Sequence, residues 1–68
     1  MTGQLVHGVH RECADVVIRN ITDGGAKVRL TATRGVVFTS PLTLRLASGE
    51  RTCAVAWQRE DEVGLRFR

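Results

Sequence analysis

The stretch from Val16 to Leu30 most constrains the fold, because two runs of β-favouring residues flank one short polar junction. The junction reads Thr22-Asp23-Gly24-Gly25. Adjacent glycines after an aspartate can adopt the positive φ angles of a tight turn, and the flanking apolar residues suit a half-buried sheet. The stretch therefore predicts a β-hairpin. A Gly25→Val substitution is expected to disrupt it, because a β-branched residue resists positive φ.

The rest of the chain continues the pattern of short strands. Residues 26–31, 42–46, 52–58 and 63–67 alternate larger apolar side chains with polar or small ones, as half-buried strands do. The first strand of the hairpin, Cys13 to Ile21, alternates imperfectly and needs either a bulge or burial on both faces. We therefore predict an all-β fold: a small antiparallel β-barrel of five or six strands with no substantial helix.

One apolar run falls outside these strands. Val36-Val37-Phe38 follows a predicted break at Thr33-Arg34-Gly35. We interpret the run either as a further strand fragment or as a cover for one open end of the barrel. Pro41 then suits the start of an edge strand.

The apolar phase of each predicted strand defines a core. Its members are Val28, Leu30, Leu44, Val55, Trp57, Leu65 and Phe67. Trp57 can also stack on a nucleobase, but it shares the register of Cys53 and Val55, which favours the core. Truncating a buried Trp57 to alanine is expected to cost roughly 3 to 5 kcal/mol.

Length limits the chain to one domain with a thin core. A chain of 68 residues buries only roughly 60% of the surface that its unfolded form exposes, so marginal stability or dimerisation is expected. Residues 1–12 are interpreted as an N-terminal arm or a short strand, and residues 13–68 as the barrel domain. His7 and His10 lack further ligands at metal-binding spacing, so they predict surface histidines rather than a metal site.

Composition is that of an ordinary globular chain. Hydrophobic residues make up 43% and charged residues 25%, which argues against both a disordered and a membrane-embedded protein. No apolar run has the length of a membrane span or a secretory leader, so we expect a cytoplasmic protein. Cys13 and Cys53 form no metal-binding motif, and both are predicted to be buried free thiols.

The charged residues favour an anionic ligand. The formal charge is +3, and nine of the ten basic residues are arginines, Lys27 being the exception. A guanidinium group pairs with phosphate through two parallel hydrogen bonds, which makes arginine suited to phosphate recognition. The alternative interpretation is that these arginines only solvate the outer faces of the strands.

The hairpin also carries a family resemblance. Asn20-Ile21-Thr22-Asp23-Gly24-Gly25 resembles the (Asp/Asn)-x-Ser-x-x-Gly signature of PilZ domains, with Thr22 where the family usually has serine. Cys53-Ala54-Val55-Ala56-Trp57 and Val63-Gly64-Leu65-Arg66-Phe67 are similar to the last two strands of that family. The match covers most of the chain from about Cys13 onward.

The resemblance implies a PilZ-like β-barrel that binds cyclic di-GMP in bacterial signalling. It implies that Asn20, Thr22 and Gly25 contact the nucleotide, although Asn20 and Thr22 can equally cap their own turn. The other signature of the family, Arg-x-x-x-Arg upstream of the hairpin, does not occur in this chain. Arg11 and Arg19 are the candidates to replace it. The chain is therefore expected to be a degenerate member with weak or no nucleotide binding.

Other functions stay open beside this one. A barrel that acts through protein contacts or self-association, without a ligand, is the alternative, and the missing arginine signature favours it. A small basic nucleic-acid-binding barrel similar to an OB-fold is less favoured, because Trp57 and Phe67 share the core register and Phe38 is the one remaining Phe, Tyr or Trp. No Ser/His/Asp or Cys/His set can be assembled, so neither an enzyme nor a bound cofactor or metal is expected.

Overall fold

The computed structural model describes residues 1–32 and 35–68, and these form an all-β fold. Its six strands span Thr2–His7 (β1), Glu12–Ile21 (β2), Gly25–Leu30 (β3), Leu42–Leu46 (β4), Gly49–Arg59 (β5) and Glu62–Phe67 (β6). No helix occurs within the described residues. The break predicted at Thr33-Arg34 lies outside them.

The strands close into an antiparallel barrel in the order β1-β2-β3-β6-β5-β4. β1 pairs with β2 on one side and with β4 on the other, so that Leu5 lies opposite both Ala14 and Leu44. The predicted small antiparallel barrel is therefore confirmed, with six strands. Residues 1–12 contribute β1, which completes the barrel, and Leu5 within it is fully buried.

Inward side chains from all six strands fill the barrel. Val28, Leu30, Leu44 and Leu65 are buried as predicted. Val55 and Phe67 are partly buried and pack against this cluster. Trp57 lies outside the core, with 43% of its surface exposed. The other members of the core are Leu5, Ala14, Val16, Ile18, Ala26, Phe38, Leu42, Cys53 and Val63.

β2 contains the irregularity that its sequence predicts. Ile18 lies opposite Val28 and Asn20 lies opposite Lys27, so Arg19 is an extra residue in the ladder. This register shift is a β-bulge. Because of it, Ile18 and Ile21 lie on the same side of the sheet although they are three residues apart.

The predicted β2–β3 hairpin is present, but glycine is needed there for a different reason. Neither Gly24 nor Gly25 belongs to the glycines with positive φ, so the φ argument for the Gly25→Val effect is wrong. A Cβ added at Gly25 would instead collide with the backbone carbonyl oxygen of Leu65. The close approach of β6 to β3 therefore excludes a side chain at Gly25.

The run at residues 36–38 covers one end of the barrel, which we call the plug end. Phe38 is buried and belongs to the core, and Val36 packs against it. The side chain of Gln58 holds this segment: its Oε1 accepts the Phe38 N–H at 2.8 Å and its Nε2 donates to the Val36 carbonyl at 2.6 Å. The opposite end carries the β2–β3 turn, and we call it the hairpin end.

The two thiols differ in their exposure. Cys53 is fully buried, its Sγ donates to the Arg51 carbonyl oxygen at 3.4 Å, and burial raises the pKa of its thiol. Cys13 is exposed, so the prediction of a buried thiol is wrong at this position. Ala14 and Val16 occupy the inward phase of β2, and strand alternation therefore turns Cys13 outward.

We expect Cys13 alone to react with a thiol reagent in the native protein. The thiolate is the reactive species, and Cys53 is buried with a raised pKa. Mass spectrometry after brief treatment with iodoacetamide should find the adduct on Cys13, and on both cysteines only after denaturation in urea. A Cys13→Ser variant should stay unmodified while native. Modification of Cys53 in the native protein would contradict this register of β5.

We expect Gly25→Ala to lower the free energy of unfolding by roughly 1 to 3 kcal/mol, because β6 must move away from the new methyl group. Gly24→Ala is the matched control, since a Cβ there has no atom within 4 Å, and it should change stability by less than about 1 kcal/mol. Urea unfolding followed by far-UV circular dichroism measures both. Equal effects would show that the β3–β6 contact is not the cause.

Candidate functional site

Trp57 points away from the core because β5 contains a second bulge. Val55 lies opposite Leu65 and Trp57 lies opposite Gly64, so Ala56 is an extra residue. The extra residue inverts the alternation of the strand beyond it. Trp57 consequently lies on the outer surface, and the prediction that it belongs to the core is wrong.

Trp57 begins a row of residues that crosses four neighbouring strands on the outside of the barrel. Trp57 lies opposite Gly64 on β6, Gly64 opposite Lys27 on β3, and Lys27 opposite Asn20 on β2. Directly opposite residues in antiparallel strands share one face of the sheet. We call this surface, defined by Trp57, Gly64, Lys27 and Asn20, the tryptophan face. At about 4.8 Å per strand, the row is roughly 14 Å long.

The indole ring of Trp57 lies against the backbone of β6 at Gly64. A Cβ at Gly64 would collide with Nε1 and Cε2 of the ring, so only glycine allows this position. Before the ring on β5 stand Ala54 and Ala56, whose side chains are too short to cover it, and two residues beyond it stands Arg59. The ring thus rests on the sheet with its outer side open to solvent.

The hairpin places Asn20, Thr22 and Gly25 together at the hairpin end, but in different roles. Thr22 is tied into its own turn: its hydroxyl accepts the Gly24 N–H at 3.3 Å and donates to the Gly25 carbonyl oxygen at 3.4 Å. Asn20 is exposed on the tryptophan face, and its amide makes no hydrogen bond with another described residue. Of the three, Asn20 therefore offers the free polar group.

The structure does not bring Arg11 to this site. Arg11 lies in the β1–β2 turn at the plug end, whereas Asn20 lies near the opposite end of the ten-residue β2. At strand rise the two residues are roughly 25 Å apart. Arg19, in the bulge of β2, is adjacent to Asn20 and exposed. Only Arg19 of the two candidate arginines can act together with Asn20.

Ion pairs engage some of the cations near the face. Lys27 Nζ lies 3.8 Å from Glu62 Oε2, and Arg29 Nε lies 2.9 Å from Asp61 Oδ2. All seven acidic residues belong to the described part of the chain, and within that part no carboxylate lies within 4 Å of the guanidinium groups of Arg19 or Arg66. Arg19 and Arg66 are therefore two of the cations available to an anionic ligand beside the face.

A groove of about 760 Å³ adjoins the face toward the plug end. Its charged lining residues are Arg19, Arg29, Glu60 and Asp61. Two positive and two negative charges balance, so the groove has no preference for an anion. The tryptophan face is the better candidate, because its exposed aromatic ring has the unpaired guanidinium groups of Arg19 and Arg66 beside it.

Within residues 1–32 and 35–68, no three His, Cys, Asp or Glu side chains lie close enough together to hold a metal ion. The same part of the chain contains no helix with the length and apolarity needed to cross a bilayer. Comparison with known proteins found no matching family model, no matching curated protein and no matching solved structure.

We expect Trp57→Ala to cost about 1 kcal/mol of stability rather than the roughly 3 to 5 kcal/mol of a buried tryptophan, because the ring packs on one side only. Leu44→Ala is the core control, since Leu44 is fully buried, and it should cost roughly 2 to 5 kcal/mol. Urea unfolding by circular dichroism compares the two variants. A Trp57→Ala variant as unstable as Leu44→Ala would place Trp57 in the core.

Proposed function

We propose that this chain is a PilZ-like binding module that receives cyclic di-GMP weakly on its tryptophan face. The observation that carries the proposal is the row from Asn20 to Trp57, in which an amide, a cation and an aromatic ring follow one another across the sheet. As part of the same proposal, the chain acts by binding rather than catalysis, in the cytoplasm of a bacterium, as a signalling component.

The chemistry of the row suits a guanine dinucleotide. Every base offers a π-face, and an exposed tryptophan ring stacks on it. The free amide of Asn20 can both donate and accept a hydrogen bond at the edge of the second guanine. Lys27 lies between the two, where it can approach a phosphate, and Arg19 can approach another from the bulge.

Weak affinity for cyclic di-GMP is expected because the chain lacks the two arginines of the Arg-x-x-x-Arg signature. A charge-assisted hydrogen bond contributes roughly 1.5 to 3 kcal/mol, and roughly every 1.4 kcal/mol corresponds to a tenfold change in the dissociation constant. Without the pair, a site of micromolar class falls toward millimolar. Arg11 cannot compensate from the plug end, and Lys27 must first separate from Glu62.

A second candidate is a barrel that works through protein contact or self-association. The exposure of Trp57 next to Arg66 favours it, because tryptophan and arginine are enriched among the residues that dominate protein interfaces. Sedimentation velocity over a range of concentrations tests self-association. A dimer that dissociates on Trp57→Ala substitution would support this candidate.

We expect titration with cyclic di-GMP to shift the amide resonances of Asn20, Lys27 and Gly64 and the indole N–H of Trp57. Saturation should require hundreds of micromolar ligand or more, and added salt should weaken the binding. Asn20→Ala should reduce the shifts severalfold. Gln4→Ala is the matched control, because it removes an exposed amide that is bonded to Asp15, away from the face.

Two further variants test the cations. Arg19→Ala should weaken cyclic di-GMP binding severalfold, whereas Arg11→Ala should leave it unchanged because Arg11 lies at the plug end. Tight, saturable binding of cyclic di-GMP by both the Asn20→Ala and the Arg19→Ala variants would contradict the proposal that the tryptophan face is the site. An absence of shifts at millimolar ligand would favour the ligand-independent alternative.

A further inference from the structure

The outer side of β6 carries a second arrangement, which runs along the strand rather than across it. Gly64, on which Trp57 rests, is followed by Arg66 and Arg68 at two-residue spacing. The N–H of Arg68 donates to the Thr52 carbonyl oxygen at 3.0 Å, which extends the β5–β6 ladder to this residue. Positions two apart lie on the same side, about 6.8 Å from one another. An aromatic ring and two guanidinium groups therefore form a line toward the hairpin end.

Arg66 has small neighbours on both sides. Arg66 lies opposite Ala54 on β5 and opposite Gly25 on β3. Within the described chain, neither Arg66 nor Arg68 has a carboxylate within 4 Å. The nearest acid on the outer side of the same strand is Glu62, which lies beyond Gly64 and is engaged with Lys27 at 3.8 Å. Asp23, in the β2–β3 turn at the same end of the barrel, forms no ion pair with either arginine. The two guanidinium groups beyond Gly64 are thus unpaired.

We propose that single-stranded nucleic acid binds along β6, with one base stacked on Trp57 and the following backbone phosphates paired with Arg66 and Arg68. Stacking suits any base, because each has a π-face, and the guanidinium fork matches the phosphate oxygens. A duplex would bind poorly, since its bases are already stacked on one another. The inference shares Trp57 with the proposed function, but it does not depend on Asn20.

The test uses a fluorescein-labelled oligothymidylate of about 12 nucleotides at low salt, near 50 mM, read by fluorescence anisotropy. We expect saturable binding that quenches the emission of Trp57. Trp57→Ala should weaken binding about tenfold, and Trp57→Phe should retain most of it, because phenylalanine still stacks. A duplex of the same length should bind at least about tenfold more weakly than the single strand.

Charge variants test whether Arg66 contacts the phosphates directly or only contributes to the net positive charge of the chain. Arg66→Gln should weaken binding at least about threefold. Arg45→Gln is the matched control: it removes the same charge from β4, where Arg45 Nε donates to Glu50 at 2.8 Å, and it should leave binding unchanged. With two phosphates neutralised, the logarithm of the binding constant should fall with the logarithm of salt concentration at a slope of about −1.4.

Three results would overturn the inference: no saturable binding at low salt, equal losses from Arg66→Gln and Arg45→Gln, or binding that Trp57→Ala leaves intact. Asn20→Ala distinguishes the inference from the proposed function, because it should weaken cyclic di-GMP binding while leaving oligonucleotide binding unchanged. Oligonucleotide binding without any cyclic di-GMP shifts would support the inference and remove the proposed ligand. Cyclic di-GMP shifts without oligonucleotide binding would overturn the inference and support the proposed function.

Discussion

In β5 a single extra residue, Ala56, decides which side chains enter the barrel beyond Val55. It turns Gln58 inward, where its amide accepts the Phe38 N–H and donates to the Val36 carbonyl. Buried backbone groups that lack partners cost roughly 1 to 3 kcal/mol each. The amide of Gln58 removes that cost from the segment that covers the plug end. The same bulge sends Trp57 outward, so the closed end of the core and the exposed ring have a common origin.

The other bulge, at Arg19 in β2, also bends a long strand so that the barrel can close. β2 and β5 are the longest strands, with ten and eleven residues, and long strands must bend and coil to close a small barrel. A bulge provides that bend and increases the local twist. The tryptophan face extends from one bulged strand to the other and crosses β3 and β6 between them. Closure of the barrel therefore shapes the surface that carries the free amide, the free arginines and the indole ring.

The contrast between β3 and β5 shows how far the sequence predicts this structure. β3 is regular, so the alternation of Ala26, Val28 and Leu30 identifies its inner face directly. The same rule applied to Cys53, Val55 and Trp57 fails at the third residue, because alternation within a strand contains no information about where the ladder will shift. A signal was present in the partner strand: Gly64 leaves the space in which a large ring can rest. Recognising it requires the pairing of β5 with β6, which local periodicity does not specify.

Two of the three residues that resemble the PilZ signature have a structural role in the hairpin. The hydroxyl of Thr22 forms hydrogen bonds within the β2–β3 turn. Glycine is needed at position 25 because a Cβ there would collide with the Leu65 carbonyl oxygen. Both residues thus have a structural role that needs no ligand. Asn20 is different, because its amide is exposed and without a partner among the described residues. Of the three residues, Asn20 thus offers a group for a contact, and in the function proposed above the ligand would gain its binding energy mainly from Trp57 and the cations around it. Substituting Trp57 therefore tests ligand binding more directly than substituting Thr22 or Gly25, whose loss would first disturb the turn itself.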